Sequence, residues 1–148
     1  MCYEQGQVQK AISHMEQIIN HNPEHAQALN FLGYTLVELE QNLERARILI
    51  QKALELDPEN GYYLDSLAWY QYTVGHTEQA WETIQAAVDY VADDSVIWEH
   101  YGDIARALNK IRDAAKGYQR SLENKTDHPQ RLSSKLRALQ HANGTDAP

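Results

Sequence analysis

One cysteine, Cys2, stands in the 148 residues, so no disulfide can form within the chain and cysteine usage leaves the compartment open between cytosol and envelope. Four prolines and seven glycines are few for a chain of this length, while Ala, Leu, Glu and Gln, all good helix formers, abound. Phenylalanine occurs once. Positive charge is scarce as well: 13 Lys and Arg face 21 Asp and Glu, a net charge of -8, which opposes broad attraction to nucleic acid or anionic lipid and favours basic partners. The longest apolar runs, such as Ile48 to Ile50, fall far short of the ~18 residues that a membrane span needs, so no direct membrane insertion is expected. Metal, catalytic and cofactor motifs are missing too. His21 and His25 are four apart, but Asn22 and Pro23 break the helix between them, and no cofactor is expected.

What is present is a period. The stretches QVQKAISHMEQI, NLERARILIQKAL, HTEQAWETIQAAV and IRDAAKGYQRSL are anchored by Ala11, Ala46, Ala80 and Ala114, at spacings of 35, 34 and 34. Spacings of this size mark stacked supersecondary units. Twelve or thirteen residues before three of the anchors stand Gly33, Ala68 and Gly102, small residues that let two helices approach closely. Each lies within apolar residues at helical spacing, such as Leu29, Leu32 and Leu36. The expected unit is a pair of antiparallel helices. Gly6, Gly75 and Asn109 fall where the first helix of a pair must end left-handed, Asn42 and Thr77 where the second is capped, and Pro23 and Pro58 where the next pair begins.

These features, with Leu32-Gly33, Tyr118, Ala53 and the two prolines in register, resemble the tetratricopeptide repeat. The middle unit departs from it in carrying Ala68 for Gly, the second has an extra residue near Glu40 to Asn42, and the last lacks its closing Pro. LNFLGYTLVE, LDSLAWYQYTVG and YGDIARAL are similar, more narrowly, to the C-terminal repeats of bacterial scaffold and envelope proteins. The fold implied is all-α, a right-handed superhelical solenoid over residues 1–141. Its expected units are a truncated first repeat at 1–22, repeats at 24–57, 58–91 and 94–125, a capping helix at 127–141, and a disordered tail at 142–148. Register places Cys2 within a helix whose opening half is absent, so the chain reads as a fragment. Asp127 is the expected cap of the last helix, which carries Leu132, Leu136 and Leu139 on one face.

The resemblance further implies a concave wall lined by first helices, with ligand positions that fall in the second unit on Gln27, Asn30, Tyr34, Val37 and Glu38. In the third they fall on Tyr62, Asp65, Trp69, Tyr72 and Thr73, and in the fourth on Val96, Glu99, Asp103, Arg106 and Ala107; Phe31, Ser66 and His100 adjoin them. Such a wall is aromatic and acidic, and suits a basic or amphipathic peptide through cation–π contact and charge pairing. The expected binding set is Asn30, Tyr34, Tyr62, Asp65, Trp69, Tyr72, Glu99, His100, Asp103 and Arg106. A carboxylate clamp, the family's better-known mode, would want cations where Asp65, Glu99 and Asp103 stand. Trp69 has a second reading as packing between first helices, and Tyr70 is expected to pack between repeats. Self-assembly through an exposed face around Ile12, Met15 and Ile19 is the structural alternative, and offers a route to homo-oligomers. Asp65, Ser66 and His100 loosely suggest a hydrolytic set, but no nucleophile elbow or oxyanion loop accompanies them, and the expected role is a non-enzymatic scaffold.

Overall fold

The computed structural model describes residues 2–144. Eight helices and no strand occur among these residues: α1 (Cys2–His21), α2 (Ala26–Glu38), α3 (Leu43–Leu56), α4 (Gly61–Thr73), α5 (Thr77–Tyr90), α6 (Ser95–Ala107), α7 (Ile111–Glu123) and α8 (Pro129–Gly144). The pairs α2 with α3, α4 with α5 and α6 with α7 pack together, and each second helix then meets the next first helix. First helices also touch one another, α2 with α4 and α4 with α6, and no comparable contact joins α3 to α5 or α5 to α7 among the described residues. The array therefore curves with its first helices on the inside, an all-α repeat solenoid.

The small residues make the pairs possible. A Cβ added to Gly33 would lie 2.7 Å from the Ile50 side chain and 3.1 Å from the Ala46 carbonyl, and one on Gly102 would lie 2.6 Å from the Tyr118 ring. Ala46, Ala80 and Ala114, the repeat anchors, are all fully buried at 0% exposure, as is Ala68. Two bare backbones meet where Gly117 faces Gly102, which explains why α6 and α7 approach so closely. Around these contacts the cores form between pairs, the first built on Leu29, Leu32 and Ile50, the next on Ile84, Ile97 and Ile104. Burying each such side chain contributes about 1.5–3 kcal/mol relative to exposure.

Turns follow the expected chemistry at Gly75 and Asn109, both left-handed at φ 91° and 60°. The extra residue in the second unit is absorbed by two left-handed positions, Glu40 and Asn42, at φ 51° and 47°. Elsewhere the turns differ from expectation. Gly6 does not turn the chain: it lies inside α1, flanked by helix-forming Glu, Gln and Val, with no neighbour within 4 Å that would require a small residue. Thr77 opens α5 as a helical residue, one place after the cap at His76, and Asn42 caps α3 with no side-chain hydrogen bond. Pro23 and Pro58 sit two residues before the caps, His25 and Asn60, in tight turns; Asn60 accepts from the Tyr62 and Tyr63 amides. Likewise α8 begins at Pro129, past Asp127, with proline at the first helical position where its missing N–H costs nothing. Of the expected tail, 142–144 belong to α8 and 145–148 lie outside the described residues.

Candidate functional site

On the inner face, successive first helices are joined by a ladder of polar rungs. Asn30, Asp65 and Glu99 occupy one register position on α2, α4 and α6, at spacings of 35 and 34. Asp65 Oδ1 is 2.7 Å from His100 Nδ1 on the next first helix, and both residues are 6% exposed. One repeat further on, Glu99 accepts Lys135 Nζ at 2.9 Å and a two-pronged pair from Arg131 at 2.8 and 2.5 Å. Lys135 stands 35 residues after His100 and so takes the same place on α8. It also reaches Asp103 at 2.9 Å, where the Tyr118 hydroxyl donates to the same carboxylate at 2.7 Å. The last helix is thus held on the wall by two cations, as well as by Leu132 and Leu139, which are 0% and 3% exposed. In register Arg137 falls where Gly102 admits a second helix, and its guanidinium is exposed to water.

The charges respond to this pairing. Burial pushes the Glu99 carboxyl up, but hydrogen bonds from Arg131 and Lys135 outweigh it and hold the group below the usual carboxylate range. For His100, burial disfavours the imidazolium, yet the facing Asp65 carboxylate, aided by Asp103 and Glu38, raises its pKa above 6.5. A raised folded-state pKa stabilises the fold fully below the unfolded value and is lost as pH climbs through the folded value. Urea midpoints of the parent should therefore fall as pH rises from about 6.5 upwards, and His100→Gln should abolish that fall. A parent midpoint independent of pH in this window would contradict the pairing.

Several expected contact residues are consequently committed within the chain. Asp65, Glu99 and His100 are buried and paired rather than free on a wall, because the curvature brings adjacent first helices into contact there. Val37, placed on the wall by register, is 1% exposed and part of the core. Trp69 is half-buried and stacks on His100 with ring centroids 4.0 Å apart and 18° between planes. Its far neighbour is Tyr72, at 5.1 Å. Trp69 therefore packs between helices and meets a basic ring supplied by its own chain. Tyr70 packs against the core beside α3, between repeats. Tyr34 donates to Glu38, and burial with that carboxylate raises its pKa. Arg106 is exposed.

The open part of the wall lies at the other end. A cleft of about 270 Å³ is lined by Asn30, Phe31, Tyr34, Tyr62, Asp65, Ser66, Asp94, Val96 and Ile97. Phe31, Tyr62 and Val96 are 43%, 51% and 50% exposed, high for side chains of their size on one face. Nothing hydrolytic is assembled beside them, since the Ser66 hydroxyl donates to the Tyr62 carbonyl at 3.2 Å and leaves His100 to Asp65. His21 bonds the Gln17 carbonyl and His25 caps α2, so each imidazole has a helix-end role. Sequence reasoning missed Arg131, Lys135 and Asp94; carrying the 35-residue step from His100 into the last helix would have found Lys135.

A family model described as tetratricopeptide repeat matches residues 3–70. Over that stretch, just under half of the chain and running from α1 into α4, the helix pairs are similar to tetratricopeptide repeats. The TPR repeat-containing protein PA4667 of Pseudomonas aeruginosa is 36% identical over 86 residues, which cover 58% of this chain and 14% of that protein. Among solved structures, Pseudomonas aeruginosa PilF superposes over 97% of this chain and 64% of its own, with TM-score 0.78 at 18% identity. MamA does so over 96% and 82%, with TM-score 0.74 at 15% identity. The first tetratricopeptide domain of Spaghetti (RPAP3), solved with the HSP90 peptide SRMEEVD, matches 80% of this chain and 95% of its own, with TM-score 0.72 at 21% identity. At these identities the likeness establishes a shared fold.

Proposed function

We propose that this chain is a non-enzymatic protein-interaction module whose concave wall receives a basic or amphipathic segment of a partner. The observation that carries this reading is α8 itself. A basic, leucine-striped helix already lies against Glu99 and Asp103, so the wall's acidic character is matched by that chemistry within one chain. The aromatic cleft at the α2 end offers the partner a free surface, and its exposed Phe31 and Tyr62 are the residue types that dominate interface energetics. The Spaghetti domain bound to a peptide supports the general mode, although the wall here is acidic. The double variant Phe31→Ala, Tyr62→Ala should keep its helical signal and lose affinity for a captured partner by at least about tenfold. Undiminished binding would place the contact elsewhere.

A second reading has its own observation. Ala11 holds the register of Ala46, Ala80 and Ala114, which are 0% exposed, yet it is only partly buried, as are Val8 and Ile18 on the same face of α1. Ile12, Met15 and Ile19, the face expected to be exposed, instead pack against the first core because α1 lies on the first helix pair, so the partly covered face of Val8, Ala11 and Ile18 is the one open to association with another helix. Sedimentation should then show self-association that Ala11→Arg abolishes; a monomer at every concentration would remove this reading.

A further inference from the structure

The polar ladder has one rung unlike the others. Asp65 and Glu99 each meet a basic side chain on the following helix of the wall, His100 and Lys135. At the equivalent place Asn30 faces α4, whose matching residue, 34 before His100 and one after Asp65, is Ser66, and the Ser66 hydroxyl is spent on the Tyr62 carbonyl. Asn30 Oδ1 is buried and has no hydrogen-bond partner among the described residues. A buried acceptor left without a donor destabilises the fold that holds it. The same residue lines the cleft that Phe31, Tyr62 and Val96 leave open, and two carboxylates, Asp65 and Asp94, line it as well. Hydrogen bonds at both carboxylates run through Oδ1, to His100 and from the Ile97 amide.

We propose that this cleft is an arginine site, filled by one guanidinium of the segment that the wall receives, and in that sense the inference rests on the reading given above. A planar cation with five donors matches the surroundings better than a point ammonium does. Its faces lie against Phe31 and Tyr62, whose rings attract a cation, and its N–H groups reach Asp94 and the Asn30 amide oxygen, which a turn about the side chain brings to the cleft. The site thus completes with a partner's charge the rung that the chain completes for itself at Asp65 and Glu99.

The test is an amide NMR titration of the full chain with N-acetyl-arginine amide, and in parallel with N-acetyl-lysine amide. The expected shifts cluster at Phe31, Tyr62 and Val96, with arginine binding at least about threefold more tightly than lysine. Asn30→Leu should weaken the arginine response at least about fivefold while keeping or raising the melting temperature, because it removes an unpaired buried acceptor. Asp94→Asn retains an oxygen to cap α6 and should weaken binding similarly, which keeps the test valid if the leucine variant fails to fold. Equal responses to the two probes, or arginine binding unchanged in both variants, would overturn the proposal. Shifts confined to the Glu38 and Glu99 end would overturn the cleft assignment and leave the wall reading standing; no shifts on any first helix would sink both.

Discussion

Gly117→Ala is expected to destabilise the protein by about 2–4 kcal/mol, although alanine is the better helix former by about 1 kcal/mol. The added methyl would lie 2.7 and 2.8 Å from the backbone N and Cα of Gly102, atoms that cannot turn aside as a side chain can. Relief requires α6 and α7 to part, and their separation would loosen Tyr118, which is fully buried between them and bonds Asp103. The same substitution at Gly6 should have the opposite sign. There the methyl meets nothing within 4 Å inside α1, and helix propensity should raise stability by a few tenths to about 1 kcal/mol. Denaturant titration of the two variants checks both values, and two changes of like sign would contradict the account of how these helices pack.

The second large effect is expected at Glu99. Reversal to lysine places a third cation beside Arg131 and Lys135, in a position that is 6% exposed. Breaking a buried pair and leaving its charges opposed should cost about 3–5 kcal/mol. The loss should not spread evenly. Amide exchange in α8 should accelerate far more than exchange in α2 and α3, because Glu99 and Asp103 are what α8's cations hold, while the first pair lies two repeats away. Uniform acceleration across the chain would mean that the ion pairs do not anchor α8 as a separate unit.

Much of the fold was legible because a solenoid repeats its own instructions. Anchors at Ala46, Ala80 and Ala114 and small residues at Gly33, Ala68 and Gly102 recur at one period, and burial of all three anchors at 0% follows from that recurrence. Reading failed where local chemistry was not repeated. Gly6 resembles a turn glycine in register, but a glycine turns a chain only where something demands a left-handed residue or a close approach, and neither exists there. The wall was legible as a position and not as a state. Asp65, Glu99 and His100 were read as facing a ligand, and the step that buries them is contact between neighbouring first helices, a property of curvature that single-helix periodicity does not carry. Trp69 shows the same limit: the sequence left it open between packing and contact with a basic ligand, and the ring it stacks on is His100 of the same chain.

The central claim is that the concave wall, already closed by α8 at one end, takes a basic partner segment at the other. Hydrogen–deuterium exchange of the chain with a captured partner, against the chain alone, measures this most directly. The account predicts new protection centred on α2 and α4, around Asn30 to Tyr34 and Tyr62 to Ser66, that weakens as salt is raised. Protection confined to α3, α5 and α7, with those first-helix stretches unchanged, would contradict it.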